Sequence, residues 1–151
     1  PRTGVHTYAN RGLAGIDGNI STALGVAYGH KATIALLGDL SFLHDLTGLI
    51  NKEEINCRFI VINNDGGGIF STLPQRGVNG FETVFGTPHG LNPAAIAQAM
   101  GVQAKQITSL KELEAEVKAP ISGISVVVCD VPNRESNADN LKRVVEALSS
   151  I

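Results

Sequence analysis

The chain has no tryptophan, one methionine and only two cysteines. So few cysteines exclude a disulfide framework. Cys57 and Cys129 sit in apolar, strand-like runs and read as buried thiols that could bridge only if their strands were neighbours. No basic run exists and the formal net charge is −2, which argues against nucleic acid and anionic membranes as partners. No apolar stretch approaches the length of a bilayer span, and no secretory pattern is present, so stable membrane insertion is not expected and the compartment read is cytoplasmic. Internal repeats and low-complexity segments are missing. So are a Gly-x-Ser-x-Gly turn, a Cys–His pair and a paired-carboxylate arrangement, which removes the common nucleophilic and glycosidic chemistries. The four histidines, His6, His30, His44 and His89, show no metal-ligand spacing. His44 reads as a surface residue. His89 lies in a long loop, where the sequence leaves its role open.

What is present is an alternation of short apolar runs with amphipathic stretches. With 43% hydrophobic and 17% charged residues, 151 residues suit one globular domain. The alternation implies an α/β fold: a doubly wound, mostly parallel sheet with helices on both faces. Strands are expected at 5–9, 32–37, 59–62, 102–107 and 124–131, five or six in all. Helical spacing of Ile20, Ala23, Leu24, Ala27 and Tyr28 predicts a helix from Gly18 that stops at Gly29. Phe42, Leu46, Leu49 and Ile50 mark a second helix face. Asn92-Pro93 opens a third helix running to Met100. Ser109 and Glu112 form a capping box for a fourth that reaches Ala119, and residues 137–148 form the last. Residues 63–91 are long and irregular, as functional loops often are. Because the sequence begins at Pro1, the expectation is a single domain, residues 1–151, excised from a longer polypeptide.

In such sheets ligands sit beyond the carboxyl ends of the strands. Two polar clusters fall there. Gly38-Asp-Leu-Ser41 follows one strand, and Asn63-Asn-Asp-Gly-Gly67 follows the next, with Asp39 and Asn64 25 positions apart. Asp39 alone would read as a helix cap, and Asn64 alone as turn chemistry. Together they supply hard oxygen ligands beside a glycine-rich turn, a set that suits Mg²⁺ holding a diphosphate. Gly66 could add its carbonyl, unobstructed by a side chain, while Asn63 braces the loop. A helix after Ser41 would aim free N–H groups at the anion. Upstream, residues 8–18 form a glycine-punctuated loop. Gly12, Gly15 and Gly18 echo a dinucleotide fingerprint, but the spacing is wrong. Arg11 could bind a substrate carboxylate through its fork of donors or merely meet a backbone carbonyl.

The strand-end pair resembles the thiamine-diphosphate signature, in which a Gly-Asp-Gly precedes an Asn-Asn at a comparable distance. Taken with Asn10-Arg-Gly-Leu-Ala-Gly-Ile-Asp-Gly18, Ile69-Phe-Ser-Thr-Leu-Pro74 and Phe85-Gly-Thr-Pro-His-Gly-Leu91, the chain resembles 2-succinyl-5-enolpyruvyl-6-hydroxy-3-cyclohexene-1-carboxylate synthases of menaquinone biosynthesis. The resemblance covers the carboxyl-terminal cofactor domain, essentially this whole chain. Leu40, in place of the third glycine, separates it from other thiamine enzymes. The resemblance implies Mg²⁺ (or Mn²⁺) on Asp39, Asn64 and the Gly66 carbonyl. It implies thiamine diphosphate held by Gly38, Leu40, Ser41 and Gly67, with Ile69, Phe70 and Leu73 walling the site. Ile16 would be the apolar wedge under the cofactor, and Arg11 would bind a substrate carboxylate. Asp65, where some relatives carry Asn, would add negative charge near the metal. The implied transferase decarboxylates 2-oxoglutarate and adds the succinyl unit 1,4 to isochorismate. Its activating glutamate would come from a pyrimidine-binding domain of the parent across a homodimer, or a tetramer built from such dimers. This fragment alone would then be inactive. A thiamine enzyme acting on another 2-oxo acid and a non-catalytic α/β assembly module remain the alternatives.

Overall fold

The computed structural model describes residues 4–10, 12–13, 15–51 and 53–149. Four strands, β1 (Thr33–Gly38), β2 (Cys57–Asn63), β3 (Gln103–Ile107) and β4 (Ile124–Asp130), form one all-parallel sheet in the order β1-β2-β4-β3. The central pair carries the apolar runs Phe59-Ile-Val-Ile62 and Val126-Val-Val-Cys129. Strands covered on both faces need such continuous runs, and Phe59, Val61, Val126, Val127 and Val128 are at most 1% exposed. The edge strand β1 alternates instead. Ala35 and Leu37 pack inward, while Ile34 and Leu36 face outward.

Among the described residues there are five α-helices: α1 (Asn19–Tyr28), α2 (Asp39–Leu43), α3 (Pro93–Ala99), α4 (Leu110–Lys118) and α5 (Arg134–Ser149), the last packed on the turn Gly68–Thr72. Parallel crossovers are right-handed. The chain steps in one direction from β1 to β2 and past β4 to β3, then back from β3 to β4. The helices of the forward steps therefore lie on one face and α4 on the other. The core divides accordingly. Ile20, Leu24, Phe42, Ala94 and Ala97 pack against Cys57, Phe59, Val61, Val126 and Val128 on one face. Ile60, Ile107, Val127 and Cys129 gather with Leu113 on the other. The expected doubly wound α/β architecture is what forms.

Several boundaries differ from expectation. Residues 5–9 form no strand: the segment contributes no ladder bonds, and Tyr8 instead lays its ring 5.6 Å from that of His30. Four strands are present among the described residues, not five or six. The helix expected across Phe42 and Ile50 is broken into the single turn α2 and a 3₁₀ turn, Leu46–Leu49. Asp45 leaves helical geometry between them because its carboxylate turns back to accept the Ser21 N–H at 2.7 Å and the Ser21 hydroxyl at 3.1 Å. Helix α5 starts at Arg134, three residues early, with the Asn133 side chain accepting the Ser136 N–H. The caps of α3 and α4 form as read: Asn92 Oδ1 accepts the Ala95 N–H, and Ser109 with Glu112 closes a capping box.

Arg58 lies on a central strand yet is only 8% exposed. Its guanidinium donates to the carbonyls of Glu116, Ala119 and Pro120, and its Nε to Ser125 Oγ. These carbonyls end α4, where orphan acceptors and the negative pole of the helix favour a cation. Replacing it with an apolar residue leaves buried carbonyls unsatisfied, so Arg58→Met should lower stability by about 2–4 kcal/mol, read by urea unfolding.

The register sets Cys57 beside Ile124 and Cys129 beside Ile62, on opposite faces of the sheet. The strands are neighbours, but no bridge is possible, and both thiols are free. Burial pushes the Cys57 thiol up to about 12; burial, then the charge of Asp130, raises Cys129. Reactivity follows the thiolate. At pH 8 the native protein should therefore release almost no colour with a disulfide reagent, and the denatured chain should report both thiols.

Candidate cofactor and metal site

Asp39 and Asn64 are each the first residue beyond a strand, and β1 and β2 are hydrogen-bonded neighbours. The register that pairs Gly38 with Ile62 brings the two ends side by side. Gly38 serves as the N-cap of α2, and Asp39, in the first turn, is only 2% exposed. Its Oδ2 accepts the Gly66 N–H at 2.7 Å, and its Oδ1 accepts the Leu40 N–H at 2.7 Å. The two halves of the sequence signature are thus in direct contact. Asp39 is not the cap itself, although the Leu40 bond keeps part of that role.

The loop after β2 is fitted around this contact. Gly66 has φ +127°, and a Cβ there would lie 2.2 Å from the Gly86 carbonyl. A Cβ on Gly67 would lie 2.3 Å from the Phe85 carbonyl, and the Gly67 N–H donates to Gly86 O at 2.8 Å. The Asn64 carboxamide lies over Gly68, which has no Cβ to obstruct it. Asn63 braces the loop as expected, donating to Asp130 Oδ1 at 2.9 Å. Gln106 donates to the other oxygen of Asp130, and Asn92 to Gln106 at 3.2 Å. A polar chain so ties the ends of β2, β4 and β3 to the cap of α3.

Asp65 sits at φ +61°, and its Oδ1 accepts the N–H groups of Gly90 at 2.8 Å and His89 at 3.0 Å. The Gly90 N–H foremost, against some burial, and then the His89 N–H hold this carboxyl below the ordinary range. His89 is brought in as well, its Nε2 lying 3.2 Å from Asp39 Oδ2.

Arg134 is the residue that sequence reasoning missed. Nη1 donates to the carbonyls of Asp65 and Gly86, and Nη2 to the Glu82 carboxylate. A cation in the first turn of α5 opposes the helix dipole, and that misfit is the only local signal. Glu82–Gly86 forms one π-turn, with Phe85 packed 5.6 Å from both Phe70 and Phe81.

Of the remaining candidates, Leu40 and Ser41 lie half-buried on α2, and Gly67 is buried. The helix expected to begin after Ser41 instead begins at Asp39 and makes one turn, with the Leu40 N–H already engaged. Ile69, Phe70 and Leu73 follow on the 3₁₀ turn Gly68–Thr72 and its exit. Ile69 is 71% and Leu73 40% exposed, while Phe70 is half-buried. Ile16, 39% exposed, accepts the Asn19 side-chain N–H on its carbonyl. Among the described residues no hydrogen bond joins that upstream loop to Asp39 or Asn64. Arg11 lies outside the described residues.

The donors fit a hard cation: one carboxylate, one carboxamide and a run of three glycines, Gly66 to Gly68, whose backbone no side chain covers. Among the described residues no three His, Cys, Asp or Glu side chains form a metal cage. A cation here would draw its other ligands from backbone, phosphate or water, the mode Mg²⁺ prefers.

Residues 2–131 match the family described as the thiamine pyrophosphate enzyme, C-terminal TPP binding domain. The chain belongs to that family. It is 45% identical over 127 residues to a 2-succinyl-5-enolpyruvyl-6-hydroxy-3-cyclohexene-1-carboxylate synthase from Lactococcus lactis, covering 82% of this chain and 23% of the relative. The synthase of the same name from Nocardia farcinica is 43% identical over 157 residues, 97% of this chain and 28% of the relative. The domain thus spans about a quarter of the curated relatives it matches. A Rhodococcus jostii thiamine diphosphate-dependent 4-hydroxybenzoylformate decarboxylase shares the fold, with TM-score 0.59 and 17% identity over 78% of this chain and 23% of that one. Benzoylformate decarboxylase from Polynucleobacter necessarius gives 0.55 and 24% over 76% and 22%. The matched range spans both strand-end clusters, Gly38–Ser41 and Asn63–Gly67.

Asp65 yields a pH test. Its folded pKa lies below the unfolded value of about 3.9, so its contribution is complete above that value and is lost as pH falls through the lowered one. The amide resonances of His89 and Gly90 should titrate together, below the ordinary carboxylate range. Asp65→Asn should abolish that titration.

Proposed function

We propose that this chain is the carboxyl-terminal cofactor domain of a longer cytoplasmic polypeptide. It binds thiamine diphosphate through Mg²⁺, with Mn²⁺ as a substitute, in a transferase that decarboxylates 2-oxoglutarate and adds the succinyl unit 1,4 to isochorismate. The observation that carries the reading is the 2.7 Å contact between the Asp39 carboxylate and the Gly66 N–H, which joins the two strand-end motifs at one point. The relatives' shared name supports the choice of substrates.

In this reading Asp39, Asn64 and the Gly66 carbonyl hold the metal. Gly38, Leu40, Ser41 and Gly67 line the diphosphate. Bound thiamine diphosphate supplies the electron sink for decarboxylation and acyl transfer. The chain's own contribution is to orient and desolvate. Ile16, Ile69 and Leu73 are apolar yet exposed, and Phe70 is half-buried beside them in sequence; they would wall the cofactor from water, with Ile16 beneath it. Arg11 would bind a substrate carboxylate, its guanidinium matching that group in a bidentate pair. The activating glutamate and the remaining walls come from a pyrimidine-binding domain of the same polypeptide across a homodimer. The isolated domain is therefore inactive.

Two measurements test this on the intact polypeptide. Supplied with Mg²⁺, thiamine diphosphate, 2-oxoglutarate and isochorismate, it should form a cofactor-dependent adduct, and the isolated domain should not. If the loaded enzyme consumes another 2-oxo acid and leaves 2-oxoglutarate untouched, the substrate assignment falls. Asp39→Ala should abolish Mg²⁺-dependent cofactor binding in calorimetry while the fold persists. Unchanged affinity would overturn the metal assignment.

A further inference from the structure

We propose that His89 is a positioning residue for Asp39: its Nε2–H holds the carboxylate so that one lone pair of Oδ1 alone is left for the metal. The inference rests on the reading of Asp39 as a metal ligand and adds to it the residue that aims the ligand. The Leu91 N–H meets His89 Nδ1 at 3.0 Å. A backbone N–H can only donate, so Nδ1 carries the lone pair and the ring proton sits on Nε2. That N–H lies 3.2 Å from Asp39 Oδ2, with the two side chains 10% and 3% exposed. Oδ2 also accepts the Gly66 N–H, and Oδ1 accepts the Leu40 N–H.

A carboxylate offers about four lone-pair sites, and three are filled by these donors. The free one is on Oδ1, so Asp39 coordinates through a single oxygen. His89 is itself excluded as a ligand, because Nδ1 is occupied and Nε2 bears the proton. Its aim is set in turn by Asp65, which holds the His89 and Gly90 N–H groups. The residue after one metal ligand so braces the histidine that braces the other. Partners that orient a metal ligand commonly cost 10–100-fold in metal affinity when removed, roughly the range expected here.

The test uses the intact polypeptide with saturating thiamine diphosphate, titrated with Mn²⁺ and read as free Mn²⁺ by electron paramagnetic resonance. Thermal unfolding without metal or cofactor is measured alongside. His89→Ala should weaken Mn²⁺ binding about 10–100-fold. His89→Gln, whose amide N–H reaches the place of Nε2–H, should recover most of the loss, although it does not restore the acceptor for Leu91. Binding by His89→Ala within about twofold of wild type, with Asp39→Ala dead, would overturn the positioning role and leave the site reading intact. Equal weakening in both His89 variants, tracking an equal loss of thermal stability, would overturn it also, as a purely structural prop. Unchanged Mn²⁺ binding in Asp39→Ala would remove the metal site itself, and this proposal with it.

Discussion

Asp39 puts a carboxylate almost out of water at the carboxyl end of β1, and most of what surrounds it follows from that placement. Desolvating such a charge costs on the order of several kcal/mol unless donors replace the lost water. Two backbone N–H groups and one imidazole N–H do so, from three separate stretches of chain. The Gly66 N–H can serve only because its loop is drawn in tightly against Gly86, closer than any side chain at 66 or 67 would allow. The fold supplies the frame, since parallel neighbours end on the same side and deliver both loops to one edge of the sheet.

Around this point the protein spends polar side chains on bracing. Asn63, Asp130, Gln106 and Asn92 connect three strand ends and a helix cap, so the platform beneath the site is one network and not a set of independent turns. The apolar side chains nearby in sequence behave oppositely. Ile69 stays largely in water and Leu73 keeps 40% of its surface there.

Elements governed by neighbours in sequence were legible before the structure. The Asn92 and Ser109 caps, the central strands and the placing of both polar clusters at strand ends follow from local chemistry and spacing. Elements governed by distant contacts were not. Nothing near Asp45 announces that Ser21 will capture its carboxylate and end the helix early. Residues 5–9 have strand-like alternation but no partner among the described strands, so propensity alone misled. The partners of Asp65 were not legible either, since its carboxylate meets backbone N–H groups some two dozen positions away. Arg134 showed only as a misfit with its helix dipole, because its partners are carbonyls from two other loops.

Arg134 has one more consequence. It fastens the Asp65 and Gly86 carbonyls and Glu82 to the first turn of α5, but among the described residues of that helix only Ala138 is buried. Leu141, Val144, Val145 and Leu148 are all more than half exposed. The order of the glycine loop at 64–68 is therefore tied to an element with little core of its own. Local opening should group α5 with the loops at 64–68 and 82–90 as one unit of low protection, released well before the β2–β4 centre. Whatever engages the outer face of α5 would tighten the site without touching it.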